Sequence, residues 1–324
     1  MVRSAVALAV LAVAFGVAGV SARGPGLHPE PRPFDTLVTR FAPADTLGAI
    51  TIASGDLWAD DNDRGDVLRL DGRSGRVRAR IHLPGRLALA DDGHGLWALR
   101  WGGKFWRTPN GPLYRIDPVA NRVVARIPLP RDATAFGVLA GGGVWVWGPT
   151  EVVRLTASRF RRAFRLDGDH GELTGAVLDG PDILAVTADG HLVRFDPSTG
   201  AHLGARVPEL TAVELLGLEG RRLLATAAGT LLAVDAGSGR LLWRRPLGFH
   251  VETVVDDGGR LLAQGSALGD AGDRLWAIDP ANGRVLESAV LPSFGTAGFA
   301  IDRRALWITT GDGQVLAIPR AVAG

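Results

Sequence analysis

The chain repeats one short stretch, Leu231-Leu232-Ala233-Val234-Asp235, in which apolar residues lead to an aspartate. Four further copies end at an aspartate, and two degenerate copies end at a threonine and a proline. The seven end positions are 71, 117, 156, 196, 235, 279 and 319, so successive copies lie 39 to 46 residues apart. Self-similarity at a period near 40 residues is the sequence signature of repeat architectures.

A second marker keeps the same period. Turn residues precede an apolar pair that ends at Trp58, Trp97, Trp145, Leu184, Leu224, Leu262 and Trp307. Each unit also contains four short apolar runs separated by turn residues, which indicates four strands. Glycine or asparagine follows most of the repeat aspartates by four residues, as Gly239 follows Asp235. Because such a carboxylate can accept hydrogen bonds from its own turn, we interpret these aspartates as structural.

These patterns predict an all-β fold, a seven-bladed β-propeller of four-stranded antiparallel blades. The last unit stops at Ile318 before a fourth strand, whereas residues 37–41 match the fourth-strand pattern of residues 123–127. We therefore expect the N-terminal strand to complete the last blade and close the ring, which would remove an exposed sheet edge. On this prediction the propeller domain spans residues 34–324.

The N-terminus carries the pattern of a secretory signal peptide. Arg3 precedes an apolar run over residues 5–20, and Val20-Ser21-Ala22 supplies the small residues of a cleavage site. The alternative is an uncleaved membrane anchor, although the run is shorter than the roughly 20 residues that span a bilayer. We expect a signal peptide over 1–22, a proline-rich linker over 23–33, and a secreted, extracytoplasmic protein with no transmembrane segment in the mature chain.

Composition excludes several classes of function. The 324 residues include no cysteine, which excludes disulfides, thiolate metal sites and cysteine nucleophiles. With 36 Lys and Arg against 34 Asp and Glu, the net charge does not indicate a nucleic-acid partner. An apolar fraction of 46% is enough for a large core and excludes a disordered chain.

One face of the predicted propeller carries the long, varied connections, and we call it the mouth face. It holds the joins between blades and the connections from second to third strands, and function concentrates on such loops. The insertion at residues 98–112 holds five aromatic and basic residues suited to stacking on a ring, a sugar or a cation: Trp101, Lys104, Phe105, Trp106 and Arg107. Alternatively, these aromatics pack over a neighbouring blade. A second insertion, at residues 263–274, is polar and glycine-rich.

The joins between blades are expected to line the mouth of the central channel. Two of them carry a His-x-Glu pair at equivalent register, His170 with Glu172 and His250 with Glu252. Imidazole beside carboxylate suits metal ligation or general acid–base chemistry. The alternative is that these residues are polar only because the mouth of a propeller is solvated. The other joins supply candidate ligand contacts and polar residues at Asp45, Arg86, Arg131, Asp132, Glu209 and Phe294.

An acidic run at residues 60–66 resembles a calcium loop in part. Arg64 stands at the fifth position, where calcium needs an oxygen ligand, so a solvated acidic turn is the favoured interpretation. Asp61 and Asp63 remain weak candidates for metal ligands, as do His170 and His250.

Residues 233–243 resemble the repeat of pyrroloquinoline-quinone (PQQ) propellers, with Ser238 and Arg240 as substitutes in the motif. Gly95-Leu96-Trp97 and Arg115-Ile116-Asp117-Pro118 are similar to units of streptogramin-lyase (virginiamycin B lyase-like) and YVTN propellers. These resemblances cover residues 34–320 and imply the propeller fold. The lyase resemblance implies a magnesium ion with His and Glu groups at the mouth. Quinoprotein dehydrogenases have more blades and adjacent cysteines, so quinone catalysis is a distant alternative.

We therefore predict a non-catalytic binding module for a small molecule, a glycan or a protein, with no cofactor and no nucleic-acid partner. The alternative is a metal-assisted lyase or hydrolase that uses Mg²⁺ or Ca²⁺ at His170, Glu172, His250 and Glu252.

Overall fold

The computed structural model describes residues 39–320 except for 84, 101–110, 131–136, 142, 157–158, 167–170, 197–199, 212, 267–272 and 292–294. Within these residues the chain forms seven antiparallel sheets of four strands each. One short 3-10 helix, Pro208–Leu210, lies between the fourth and fifth sheets.

Each of six blades is formed by four strands that are consecutive in the sequence. Blade one contains β2 (Leu47–Ala53), β3 (Asp56–Asp61), β4 (Asp66–Leu70) and β5 (Val77–His82). Blade two contains β6 (Leu87–Asp91), β7 (Leu96–Arg100), β8 (Leu113–Asp117) and β9 (Arg122–Ile127). Blade three contains β10 (Gly137–Ala140), β11 (Val144–Trp147), β12 (Glu151–Thr156) and β13 (Arg159–Arg165).

The second half of the chain repeats this order. Blade four contains β14 (Leu173–Asp179), β15 (Asp182–Thr187), β16 (His191–Asp196) and β17 (Gly200–Arg206). Blade five contains β18 (Glu214–Glu219), β19 (Arg222–Ala227), β20 (Thr230–Asp235) and β21 (Leu241–Pro246). Blade six contains β22 (His250–Asp256), β23 (Leu261–Ser266), β24 (Asp273–Ile278) and β25 (Val285–Val290).

Blade seven combines strands from both ends of the described chain. Its strands are β26 (Thr296–Ile301), β27 (Ala305–Thr310), β28 (Val315–Pro319) and β1 (Thr39–Phe41). Strand β1 is the outer strand and pairs antiparallel with β28, with Phe41 opposite Val315. Residues 37 and 38, which the sequence also assigned to this strand, lie outside the described residues.

The first strand of each blade lies innermost and contacts the first strands of both neighbouring blades. Strand β26 contacts β2 in the same way, so the seven sheets form a closed ring. The predicted seven-bladed, all-β propeller is therefore confirmed. Within the described residues, no helix is long and apolar enough to cross a membrane.

Burial explains the sequence pattern of the strands. The second strands are buried on both faces, as in β11, where all four residues are apolar and buried. The outer strands alternate between half-buried and exposed residues, as in β25. The tryptophans of the second marker are core residues, and the guanidinium of Arg69 lies 5.7 Å from the ring centroid of Trp58.

Four repeat aspartates within the described turns cap those turns, as predicted: Asp71, Asp117, Asp235 and Asp279. Asp235 Oδ1 accepts hydrogen bonds from the backbone N–H groups of Gly237 (3.2 Å) and Ser238 (2.7 Å). The hydrogen bonds from the Ser238 hydroxyl and from the Ser238 N–H lower the pKa of Asp235 to about 2. Gly239 completes the turn with a φ of 70°. These turns lie on the face opposite the mouth, which we call the base face.

The two predicted insertions are shorter than expected. Strand β7 continues to Arg100 and β8 begins at Leu113, so the first loop starts after residue 100 rather than at 98. Strand β23 continues to Ser266 and β24 begins at Asp273, so residues 263–266 and 273–274 of the second predicted insertion belong to strands. The residues at the ends of these two predicted insertions belong to strands because their apolar side chains are buried in the core.

Candidate functional site

Buried polar side chains collect at the mouth face. In each blade, the second strand ends and the third strand begins at this face. Ten polar or charged residues of the described chain are buried, and Asp56 is at the base face. The other nine lie at or within two residues of the mouth-face ends of second and third strands: Asp60, Asp61, Glu151, Thr187, Thr226, Gln264, Asp273, Thr309 and Thr310.

In blade six, a β-bulge directs Glu252 into this polar layer. The register between β22 and β23 shifts between Val251 and Thr253, which leaves Glu252 as the extra residue. The Ser266 hydroxyl donates a hydrogen bond of 2.5 Å to Glu252 Oε1. Burial raises the pKa of Glu252, and the nearby Asp273 carboxylate adds to this effect. Glu252 is therefore easier to protonate than an exposed glutamate.

His250, the first residue of β22, meets a carboxylate from the preceding blade. Its Nε2 lies 3.5 Å from Oε2 of Glu214, the first residue of β18. Burial lowers the pKa of His250. The carboxylate placed against His250 is thus Glu214 rather than Glu252, the partner suggested by the His-x-Glu pattern. Glu214 could have been found from its register, because it starts its blade as His250 starts the next.

Most of the other predicted site residues lie outside the described residues, and their roles remain predictions. They are Trp101, Lys104, Phe105, Trp106, Arg107, Arg131, Asp132, His170 and Phe294. Glu172 is described, and its side chain is exposed just before β14. The structure therefore brings Glu214 and His250 together across blades five and six, and it places Glu252 against Ser266 within blade six.

The acidic run of blade one is not the solvated turn expected from sequence. Asp60 and Asp61 end strand β3 and are each 1% exposed, whereas Asp63 is exposed. Asp60 Oδ2 accepts a hydrogen bond of 2.9 Å from the N–H of Leu87, at the start of blade two. Its Oδ1 has no hydrogen-bond partner among the described residues. Burial raises the pKa of Asp60 to about 7, against the opposing effect of the Leu87 hydrogen bond.

Asp61, a weak candidate for a metal ligand, has partners within its own blade. Its Oδ1 accepts the N–H of Arg64 at 3.2 Å, and its Oδ2 lies 3.5 Å from the Arg80 guanidinium. In the part of the chain that the structure describes, no three His, Asp or Glu side chains are grouped so that they could hold a metal ion.

Solved structures with similar folds include proteins of several activities. BamB from Moraxella catarrhalis aligns with 16% identity over 85% of this chain and 86% of its own, with a TM-score of 0.56. Virginiamycin B lyase from Staphylococcus aureus aligns with 12% identity over 88% of this chain and 99% of its own, with a TM-score of 0.62. A chain of the mitotic checkpoint complex aligns with 11% identity over 93% of this chain and 99% of its own, with a TM-score of 0.71. Likeness at such low identity shows the fold alone.

Sequence comparison identifies the family. A search of curated proteins gave no match. The family model described as outer membrane protein assembly factor BamB, built on PQQ-like repeats, matches residues 85–321. This match extends over well over half of the chain and agrees with the PQQ-like motif at residues 233–243. The protein is therefore a seven-bladed β-propeller that belongs to the PQQ-like repeat family of outer membrane protein assembly factor BamB.

Proposed function

We propose that this protein is a secreted, non-catalytic binding module whose partner binds at the mouth face. The observation that carries the proposal is the concentration of buried polar side chains at that face. Two of their atoms, Asp60 Oδ1 and Thr226 Oγ1, have no hydrogen-bond partner within the described residues. A buried polar atom without a partner costs about 1–3 kcal/mol, so groups that gain a partner on binding would repay this cost.

The family supports an interaction role. The matching family model is named for an assembly factor, and the proposed role is likewise the binding of another molecule rather than its conversion. We place the contacts on the mouth-face loops, with Trp101 and Trp106 as aromatic anchors and Arg131, Asp132 and Phe294 from the joins. The partner is a small molecule, a glycan or a protein. The protein meets this partner outside the cytoplasm, because the signal peptide at 1–22, which the linker at 23–33 follows, directs its export.

Site-specific photo-crosslinking tests this proposal. A benzophenone side chain is placed at Glu209, exposed in the mouth-face join between blades four and five, or at Asn282, exposed in a base-face turn. We expect a discrete adduct from position 209, lost in the W101A/W106A variant and retained in H250A. Equal adducts from both positions, or loss of the adduct in H250A alone, would contradict the proposal.

A metal-assisted lyase or hydrolase is the second candidate. It is favoured by the pair of His250 and Glu214 and by Glu252, two residues further along β22, since burial lowers the pKa of His250 and raises that of Glu252. A base and an acid with such opposite shifts could serve general acid–base catalysis. In that case H250A and E252Q would abolish turnover that depends on Mg²⁺ or Ca²⁺, whereas W101A/W106A would mainly weaken substrate binding. Quinone catalysis remains a distant third candidate.

We also propose that strand β1 stabilises the closure of the ring. Two observations support this role: β1 pairs with β28 of blade seven, and a Cβ at Gly75 of blade one would collide with the Phe41 ring. Phe41 thus touches both the last and the first blade. Removing residues 34–41 should lower the melting temperature by more than 10 °C, whereas removing residues 23–33 alone should leave it unchanged.

A further inference from the structure

Arg274 of blade six has a guanidinium without a counter-charge among the described residues. It is the second residue of β24 and lies near the mouth-face end of that strand, where it is half-buried. Its Nε atom is buried and has no hydrogen-bond partner in the described chain. The guanidinium contacts the ring of Phe249 and takes part in no ion pair with a described residue. A charge that is partly withdrawn from water is costly unless it is paired, so Arg274 is an exception in this fold.

The neighbours of Arg274 across the sheet explain why it is unpaired. Arg274 lies opposite Gly265 of β23 and Val290 of β25, and neither of these residues has a charged side chain. The equivalent position of blade one is Asp66, which lies opposite His82. There, His82 Nδ1 is 3.0 Å from Asp66 Oδ1, so the charged residue meets a polar partner across the strands. Blade six has the charged residue at this position but an apolar residue in the place of its partner.

Aromatic rings hold the guanidinium of Arg274 in place. Its central carbon lies 5.4 Å from the ring centroid of Phe249, which is the distance of a cation–π contact. The Phe249 ring packs edge-on against Trp276, with the centroids 5.3 Å apart and the planes at 70°. Trp276 belongs to the core between blades five and six. Because this platform is part of the core, the position of the guanidinium is fixed without a ligand.

Two other arginines that stack on aromatic rings are also paired with a carboxylate. Arg69 lies over a tryptophan ring and 2.5 Å from the Asp56 carboxylate. Arg304 has the same two contacts and lies 2.7 Å from Asp302. Stacking uses the face of a guanidinium, whereas its N–H groups lie in the plane and remain able to donate to a carboxylate. Arg274 has the first kind of contact and, within the described chain, lacks the second.

We propose that Arg274 binds a carboxylate from outside the chain, carried on an apolar group that covers Val290. A carboxylate matches a single guanidinium in charge and in its two parallel hydrogen bonds, whereas a phosphate group has three oxygens to satisfy. Val290 is 55% exposed and lies directly opposite Arg274, so the apolar part of the ligand has a surface to cover. The ligand is therefore an organic acid with a hydrocarbon stem, either free or at the end of a polypeptide.

This site does not rest on the aromatic anchors proposed above. It belongs to the outer strands of blade six, whereas Trp101 and Trp106 lie in the chain between β7 and β8 of blade two. The W101A/W106A variant should therefore bind the acid like the parent, so either proposal can fail without the other. One ion pair and a small apolar contact give weak binding, with a dissociation constant of about 1 mM that rises with salt.

The test measures the binding of 3-phenylpropionate by ligand-observed NMR, with the neutral 3-phenylpropionamide as the matched probe. We expect the amide to bind the parent about tenfold more weakly than the acid, or weaker still. R274Q should weaken binding of the acid to a similar extent. The control R244Q, which removes an exposed arginine of β21 and makes the same change in net charge, should bind like the parent.

The peptide acetyl-Gly-Gly-Phe with a free C-terminus distinguishes the two sources of the carboxylate. Tighter binding of this peptide than of the free acid supports a polypeptide terminus as the ligand, and equal or weaker binding supports a free acid. In both cases the binding should depend on Arg274.

A second variant tests the site without changing Arg274. V290E places a carboxylate opposite the guanidinium, in the position that His82 occupies opposite Asp66 in blade one. Because Arg274 then has a partner within the chain, V290E should bind the acid about tenfold more weakly than V290Q does. Its melting temperature should be about 1–2 °C higher than that of V290Q. Thermal melts also check that R274Q is folded.

Three results would overturn the proposal. Equal binding of the acid and the amide would show that the carboxylate is not recognised. Equal weakening by R274Q and R244Q would show that net charge alone attracts the acid. Equal binding of the acid by folded V290E and V290Q would place the acid elsewhere on the protein.

Discussion

Two buried aspartates at opposite ends of strand β3 show how the two faces of the propeller differ. Asp56, at the base face, lies 2.5 Å from the Arg69 guanidinium and 3.2 Å from that of Arg78. Asp60, at the mouth face, accepts one backbone hydrogen bond from Leu87 and has an oxygen without a partner in the described chain. The base-face aspartate is therefore paired internally through both carboxylate oxygens, whereas the mouth-face Asp60 is paired through one.

The base face also carries side-chain hydrogen bonds between neighbouring blades. At the base face, Arg69 donates hydrogen bonds of 2.8 Å to the Pro118 carbonyl and the Asn121 side chain of blade two. Trp243 of blade five likewise donates to the Pro280 carbonyl of blade six at 2.9 Å. These bonds fix each blade to the next. The base face therefore has a structural role in the ring, whereas the binding role of the mouth face is the proposal made above.

The largest expected effect comes from neutralising the base-face aspartate. The D56N variant leaves Arg69, which is largely buried, without its counter-charge. We expect a loss of about 2–4 kcal/mol in the free energy of unfolding, measured by urea denaturation at pH 7. A loss below about 0.5 kcal/mol would mean that the base face does not depend on its own ion pairs.

Two equivalent turn glycines at the base face sharpen the comparison. Gly283 and Gly200 both have positive φ, at 69° and 94°. A Cβ at Gly283 would lie 2.5 Å from Cε3 of Trp243, whereas a Cβ at Gly200 would meet nothing within 4 Å. We expect G200A to cost about 1 kcal/mol from backbone strain and G283A about 2–3 kcal/mol, because Trp243 must also move. Equal costs would show that this contact between blades contributes nothing.

Neutralising the mouth-face aspartate should raise the free energy of unfolding rather than lower it. The pKa of Asp60 rises from 3.8 to about 7 on folding, so the native state holds a proton that the unfolded chain releases. The stability that protonated Asp60 contributes to the fold is fully present below pH 4 and is lost as the pH rises through 7. We expect D60N to stabilise the fold by about 1–2 kcal/mol at pH 8 and to have little effect at pH 4. Thermal melts over this range would show a flatter pH profile, and a destabilised D60N at pH 8 would contradict it.

The smallest effect is expected at a mouth-face threonine. Thr226 is buried, and its hydroxyl finds no partner among the described residues, whereas Thr309 donates 2.6 Å to the Gly48 carbonyl. Because valine has nearly the same shape and lacks the unpaired hydroxyl, T226V should raise the free energy of unfolding by about 1 kcal/mol, while T309V should lower it by about 1 kcal/mol. A similar loss in both variants, measured by chemical denaturation, would show that the Thr226 hydroxyl has a structural role.

Much of the fold could be predicted because its signals are local. The aspartate and the glycine four residues later form one hydrogen-bonded turn, and the tryptophan marker lies within one strand. Such features recur along the chain whether or not distant units are in contact. The site was harder to predict from the sequence. The pattern of residues 60–66 suggested a solvated turn, yet Asp60 and Asp61 are buried. Their burial depends on blade two, whose Leu87 lies over Asp60.

By itself, the sequence determined the repeat, the number of blades, the capped base-face turns and the family. Only the tertiary structure decided that Glu214 faces His250 across two blades and that Asp60 is enclosed with one oxygen unpaired. The physical reason is that turn hydrogen bonds form between residues a few positions apart. Burial and charge pairing at the mouth instead depend on how the ring brings distant strands together.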